Sequence, residues 1–327
     1  MCSSGSSGED HATVHQGSSM SEKIKNISAS IHQRLKNSAE RDGSPFQEYF
    51  YKYSIERFLY RLSCSQYKDE FVLKGGLMFS GWGIPLRRPT RDIDMHGYIN
   101  TTVTDLLAMI KEICLQEVES DGMRYDPESV RGEQIIEAAN YPGIRVYITG
   151  YLGNVVIYLH LDVSFANVIT PDEISFNYPT MLGMPGFRLL GYPIETAIAE
   201  KLQAMVVLDN INDRMKDFYD IWLISHKANI NGKTLMEAIQ ATFKARQTLL
   251  PQIPPTALSK EFVQLRESDW KTFLKRSLFR DEDAPAFSLV IETLTQFLWP
   301  VLQAANSNMR FSLVWRAGES WQVVGTD

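Results

Sequence analysis

Cysteine is scarce in this chain, and the three present, Cys2, Cys64 and Cys114, are odd in number and widely scattered. No spacing among them suggests a zinc site or a disulfide framework, which fits a reducing cytoplasm. Long apolar runs are also missing: Leu289-Val-Ile is broken by Glu292, and the run Val155–Leu161 by His160 and Asp162. Neither approaches the roughly 18 residues of a membrane span. The start is Ser- and Gly-rich rather than basic and then apolar, so it does not read as a secretory signal. Charge of one sign is lacking as well, with 33 basic against 39 acidic residues and a net charge of −6. Nothing global announces a polyanionic partner, and any such surface must be local.

What is present is 327 residues with 44% apolar content, enough for two domains with real cores. Residues 1–19 are small and polar without hydrophobic period and are expected to be a disordered, tag-like leader. Residues 20–185 would hold N-terminal helices and a mixed α/β unit, and residues 186–327 a helical C-terminal domain. Ile24, Ile27, Ile31 and Leu35 space an amphipathic helix that ends at Asp42-Gly43, and a second carries Phe46, Phe50, Tyr53, Phe58 and Leu62 inward. Arg57 and Arg61, one turn apart there, read as salt-bridged surface residues.

The chain is organised around two stretches. Phe71-Val-Leu-Lys-Gly-Gly76 reads as a strand running into a glycine turn and then a helical Leu77-Met-Phe-Ser80. Such a turn lets backbone N–H groups approach an anion such as phosphate. In Arg88-Pro-Thr-Arg-Asp-Ile-Asp94, a strand would aim Asp92 and Asp94 at one face and Ile93 at the core. Two adjacent carboxylates stay ionised together most easily around a divalent cation. Taken singly, a Gly-Gly is also a plain turn and Asp-x-Asp a solvated strand end.

Downstream, Val103–Glu119 suggests a helix, and Ile144–Ile148 with Asn154–Phe165 a hairpin turning at Gly150-Tyr-Leu-Gly153. Asp162 then shares a face with Tyr158 and His160, either as a third metal carboxylate or as a strand-end cap. Thr170–Gly191 reads as a linker. Lys201 lies inside the apolar stripe Ile194, Ala197, Ile198, Leu202, Met205, where an ammonium needs an anion. One helix later Asp213, Asp217 and Asp220 fall in a narrow arc, either a solvated face with a Lys216–Asp220 pair or the wall of a cleft. Helices are expected over Leu235–Ala245, Leu258–Leu265, Asp269–Arg280 and Phe287–Leu298. Lys271, Lys275, Arg276 and Arg280 make the third basic, and a terminal β-hairpin spans Phe311–Trp315 and Ser320–Val324.

The order of strand, glycine turn, short helix and Asp-x-Asp strand resembles the active-site layout of polymerase-β-type nucleotidyltransferases, in which two metals clamp an in-line displacement at phosphorus. More narrowly, the sequence resembles the AbiEii/AbiGii nucleotidyltransferase toxins of type IV toxin–antitoxin and phage-defence systems. The resemblance is carried by the two stretches above, by Tyr53–Leu62, Leu161-Asp-Val163, Glu200-Lys-Leu-Gln-Ala204 and Arg214-Met-Lys-Asp-Phe-Tyr-Asp220, and it runs from about Asn26 to Leu274. It implies a polymerase-β-like α/β domain with a small mixed sheet and a cleft against the helical domain. Gly75 and Gly76 would hold the triphosphate, Asp92 and Asp94 the metals (Mg²⁺, with Mn²⁺ as substitute), Lys201 the phosphates, and Asp217 would act as general base or polar orienter. Leu77 stands where many nucleotidyltransferases carry a hydroxyl, leaving Lys74 or Ser80 to hold the β- and γ-phosphates. The implied substrates are an NTP, GTP or CTP among them, and an RNA acceptor such as a tRNA 3′ end, with a cognate antitoxin encoded alongside. An inactive nucleotide-binding module or a protein-docking scaffold are the alternatives.

Overall fold

The computed structural model describes residues 15–98, 102–137, 141–165, 168–277, 284–307 and 309–323, with only the backbone of 15–26, 136–137 and 141–142. Its seven-stranded mixed sheet forms where the alternating and apolar stretches lie. β1 (Phe71–Lys74) is buried along its length and lies between β2 (Asp92–Gly97), antiparallel to it, and β7 (Phe187–Gly191), parallel to it. A strand covered on both faces can be a continuous apolar run such as Phe71-Val-Leu. β5 (Val155–Ser164) runs parallel to β2 on its other side, followed outward by β4 (Tyr141–Leu152) and β3 (Met123–Glu137). β6 (Ile174–Tyr178) closes the far edge beside β7.

One face of the sheet buries Val146, Ile148, Leu159 and Leu161 together with Leu35 of α1 (His15–Arg41), Phe58 of α2 (Phe46–Cys64) and Ile110 of α4 (Val103–Leu115). The helical region has its own core from α5 (Ile194–Leu208), α6 (Met215–Lys227), α7 (Gly232–Ala245), α8 (Lys260–Lys275) and α9 (Phe287–Ser307). Phe79, on the short α3 (Met78–Gly81), and Ile84 belong to this second core, so the segment after the glycine turn pins the two parts together. A small sheet of β8 (Ile230–Asn231), β9 (Leu313–Trp315) and β10 (Trp321–Val323) contains the expected terminal hairpin. Among the described residues no helix is long and apolar enough to cross a membrane.

Several expectations are corrected. α1 starts at His15, inside the stretch read as leader, because extending an existing helix costs far less than nucleating one; residues 1–14 lie outside the described residues. The stretch read as a linker supplies β6 and β7, so the sheet continues to Gly191 and the helical part begins at Ile194. β3 went unread because Asp126-Pro-Glu128 interrupts its alternation, and its register against β4 shifts there. The β4–β5 hairpin turns on Gly153-Asn154, with Gly153 at φ +60°. Gly150 is inside β4 instead, where a Cβ would lie 2.9 Å from Ile157 and 3.1 Å from the Tyr125 ring. Leu258–Leu265 and Asp269–Arg280 merge largely into the single helix α8.

Arg57 and Arg61 are buried, not on the surface. Arg61 makes a two-pronged bond to Asp121 at 2.7 and 3.1 Å, and Arg57 stacks 4.2 Å from the Tyr60 ring centroid. Their helix touches β3, β5 and β7 of the sheet as well as α1 and α4, which leaves little of its circumference for solvent.

Candidate nucleotide-transfer site

β1 delivers Lys74 and the glycine pair to one end of the sheet, and β2 returns antiparallel to place Asp94 beside Lys74. Gly75 sits at φ +69°, and a Cβ there would lie 2.1 Å from Asp94 Oδ2. Only glycine can therefore occupy this turn with the Asp94 carboxylate lying over it. Ile93 is fully buried while Asp92 and Asp94 are half-buried on the opposite face, as the two-residue strand period requires. Asp162 on β5 is opposite Asp94 in register, where the sequence reading put a third carboxylate. Both of its oxygens are engaged by Arg145 of β4, at 2.8 and 2.7 Å. Burial costs Arg145 less than the Asp162 bonds return, and its pKa is raised.

Lys74 is buried, with Nζ donating to Ser164 at 2.6 Å. Ser80 is exposed on α3 and is not part of the cleft lining. Of the two substitutes for a hydroxyl after the turn, only Lys74 is thus in the cleft wall.

The helical part contributes a chain of alternating charges. Arg88, from the loop before β2, meets Asp220 of α6 through two 2.7 Å bonds. Lys201 of α5 lies 2.8 Å from Asp220 and 2.5 Å from Asp217, and Arg214 donates to Asp217 at 2.6 Å. Of the acidic arc, Asp217 is buried in the cleft wall, Asp220 is buried outside the lining and Asp213 is exposed; Asp220 pairs with Arg88 and Lys201 rather than with Lys216. Burial works against all of these charges, yet partners outweigh it. The two carboxylates raise the Lys201 pKa, while Lys201 and Arg214 hold Asp217 well below the usual carboxylate range, and Arg88 and Lys201 lower Asp220.

These groups line one cleft of about 840 Å³ between sheet and helices, with Gly75, Gly76, Asp92, Asp94, Asp162, Lys201 and Asp217 all in its wall. The wall carries nine lysines and arginines against five carboxylates, in a chain whose net charge is −6. An excess of cations around half-buried aspartates suits a polyphosphate accompanied by a divalent ion. Arg276 lines the cleft as well, so one member of the basic stretch faces it, while Arg280 lies outside the described residues. Arg246, held by Gln203 at 2.9 Å and Glu200 at 3.4 Å, was not found from sequence. Neither was Arg145, whose only signal was its alternation on a strand facing Asp162.

Among the described residues no three His, Cys, Asp or Glu side chains gather closely enough to hold a metal unaided. Asp92 and Asp94 still fit a magnesium ion, which is commonly bound through one or two carboxylates, waters and the substrate's own phosphates.

A second cleft of about 550 Å³ opens on the exposed sheet face, lined by Tyr51, Tyr147, Tyr158, His160 and Arg131, and it shares Arg91 and Asp92 with the first. Burial, reinforced by the Asp92 carboxylate, pushes the Tyr51 phenol up to about 12.

Comparison with known proteins agrees with the resemblance read from the motifs. The model of a family described as nucleotidyl transferase AbiEii toxin, type IV toxin–antitoxin system, matches residues 57–293. No curated protein matches the chain. Two Helicobacter pylori crystal structures are similar at 14% identity. One is described as a candidate nucleotidyltransferase (TM-score 0.45, covering 81% of this chain and 98% of that one). The other, JHP933, has a TM-score of 0.46 and covers 80% and 97%.

Proposed function

We propose that this chain, which belongs to the AbiEii nucleotidyl transferase toxin family of type IV toxin–antitoxin systems, transfers a nucleoside monophosphate from an NTP to a hydroxyl of RNA, with a tRNA 3′ end as acceptor. The observation that carries the reading is the cation-rich cleft with Asp92 and Asp94 on one strand face. Its volume falls within the roughly 300–1,000 Å³ of small-molecule sites. Family membership implies an antitoxin partner and a nucleotide substrate; GTP or CTP as that nucleotide, and a role in phage defence, belong to the proposal.

In the proposed reaction the acceptor oxygen attacks the α-phosphorus, the bond to the β-phosphate bridge breaks, and pyrophosphate leaves with the electron pair. Asp92 and Asp94 would hold Mg²⁺, or Mn²⁺ in its place, and the ion would neutralise phosphate charge. The chain's own work is positioning and electrostatics. Gly75 and Gly76 let Asp94 and Thr90 pack directly against the turn, whose backbone N–H groups would meet phosphate oxygens, and Lys74 and Lys201 present ammonium groups to the cleft.

Asp217 is better suited to orienting Lys201 and Arg214 than to taking a proton. Its oxygens are both committed to cations and its pKa is depressed. Since Asp162 is committed to Arg145 as well, the hydroxyl proton would pass to water.

The test is incubation with each α-labelled NTP, Mg²⁺ and total tRNA, beside an Asp92→Ala/Asp94→Ala control. Label on RNA with the native chain alone is the expected result. Nucleotide binding without any labelled product would instead indicate a binding module that has lost catalysis, and label transferred only in a parallel incubation with γ-labelled NTP would indicate a kinase.

A further inference from the structure

The first cleft accounts for an NTP, but a transfer needs two substrates, and an in-line displacement needs them on opposite sides of the reacting phosphorus. The second cleft meets the first at Asp92 and Arg91, the two residues that line both. It therefore begins where a nucleophile must arrive.

Its walls follow from strand register. β2 begins at Asp92, opposite His160, so the part of β5 before His160 has no strand neighbour on that side among the described residues. Tyr51 of α2 fills this edge and donates its hydroxyl to the Tyr158 carbonyl oxygen at 3.1 Å. Across the sheet, Arg131, Tyr147, His160 and Asp92 form one continuous row of cross-strand partners over β3, β4, β5 and β2. Arg131 lies 5.0 Å from the Tyr147 ring centroid, and Tyr147 meets His160 edge to face at 5.0 Å. Tyr158 stands one step further along the same face, 66% exposed. Two rows on, Arg124 stacks 4.2 Å from Tyr151. A tyrosine so exposed on a strand is poorly explained by folding, since it buries little apolar area there.

We propose that this aromatic and arginine-bearing sheet face is the acceptor site, seating the 3′-terminal nucleotides of a single-stranded RNA with the terminal hydroxyl directed at Asp92. The inference rests on the nucleotidyl-transfer reading and adds the location and class of its second substrate. Single-stranded bases stack on tyrosine and on guanidinium planes, while arginines pair with the backbone phosphates, and this needs no particular sequence. The cleft wall has two arginines and one carboxylate, the sign a nucleic-acid strand requires. A protein acceptor is less well matched, because three tyrosines, a histidine and two arginines make up most of the wall and Ile148 is its sole aliphatic residue.

The test uses the full chain and Tyr158→Ala, Tyr147→Ala and Arg131→Ala variants, each checked for an unchanged melting temperature. Binding of a 5′-fluorescein oligoadenylate with a free 3′-hydroxyl is followed by anisotropy without NTP, NTP affinity is measured separately, and the KM for tRNA is measured wherever transfer occurs. The expected result for Tyr158→Ala is RNA binding weakened about 5- to 150-fold, the range of one lost base–aromatic stack, with NTP affinity within about twofold of native. Native RNA affinity in all three variants overturns the proposal, as does the absence of RNA binding by the native chain. If RNA binding falls as expected but the native chain labels no acceptor with any NTP, the platform stands and the transferase reading fails. Label appearing on a protein, and lost in Tyr158→Ala, assigns the face to a protein acceptor and also overturns the RNA proposal.

Discussion

In the cleft, Arg88, Lys201 and Arg214 alternate with Asp220 and Asp217 at 2.5–2.8 Å, whereas on α2 the more deeply buried Arg57 meets Glu56 and Asp121 only at 3.5 and 3.4 Å. Every link of the first chain is a hydrogen bond or close ion pair. In the second, Glu56 Oε1 and three Arg57 nitrogens lack a hydrogen-bond partner among the described residues. The pKa directions follow the wiring. Asp217 and Asp220 are held down by their cations, while burial raises Glu56 to about 7, with the Met181 N–H and Arg57 only partly opposing it. Buried charge is costly in both places, and close partners offset the cost along the cleft chain but not at Arg57 and Glu56. The saturated cluster borders the larger cleft and holds its cations in fixed positions there, whereas the slack one borders neither of the two clefts described above.

That contrast can be broken experimentally. The largest effect is expected at the carboxylates facing the cleft: Asp94→Asn should lower the rate of nucleotidyl transfer by about 10³-fold or more, with an unchanged melting temperature, because several kcal/mol of charge neutralisation are lost. Retained transfer would remove Asp94 from the reaction. Next, Lys201→Met leaves the buried Asp217 and Asp220 underpaired, so urea unfolding should show a loss of about 3–5 kcal/mol together with lost transfer. A fully stable but inactive variant would show that the network is not structurally coupled.

The α2 cluster should respond more weakly. Asp121→Ala strands Arg61 and is expected to cost about 3 kcal/mol, yet the KM for NTP should not move. The double change Glu56→Gln with Arg57→Met should leave stability within about 1 kcal/mol of native, since an imperfect buried pair is replaceable by neutral groups. A large loss in that variant would erase the distinction between the two clusters.

A further effect is a slope with pH. Glu56 has a folded pKa above its unfolded one, so the folded state binds the extra proton, and stability contributed at low pH is lost as pH rises from about 4.5 to about 7. Unfolding free energies of native and Glu56→Gln chains across that window should converge toward acid and separate by about 1–3 kcal/mol toward neutral pH. Parallel curves would mean that Glu56 does not titrate there. The depressed Asp217 and Asp220 act in the opposite sense, their contribution being lost only as pH falls below the ordinary carboxylate range.

Much of this was legible in the residues. The order Lys74-Gly-Gly76 then Asp92-Ile-Asp94 gave the strand, turn and strand of the cleft, and the misfit of Lys201 in an apolar stripe signalled a buried anion. That the anions are Asp217 and Asp220 follows from the packing of α5 against α6, beyond the reach of periodicity. The strands β6 and β7 hid behind prolines and glycines, and β3 behind its bulge, because pairing partners far along the chain stabilise them more than local propensity does. Arg57 and Arg61 looked superficial because a helical wheel shows which residues share a face and not how many sides of the helix are covered.

By itself, then, the sequence determined what depends on neighbours within a few positions: the alternation that aims Asp92 and Asp94 together, the glycine that alone tolerates the turn at Gly75, and the apolar stripes of the helices. Only the tertiary structure decided that Asp162 is engaged by Arg145, that Arg88 reaches across to Asp220, and that two clefts share Asp92. Those outcomes depend on strand order and on packing between segments more than 100 residues apart, as Arg88 and Asp220 are; through-space proximity sets electrostatic energy, and local pattern carries no record of it.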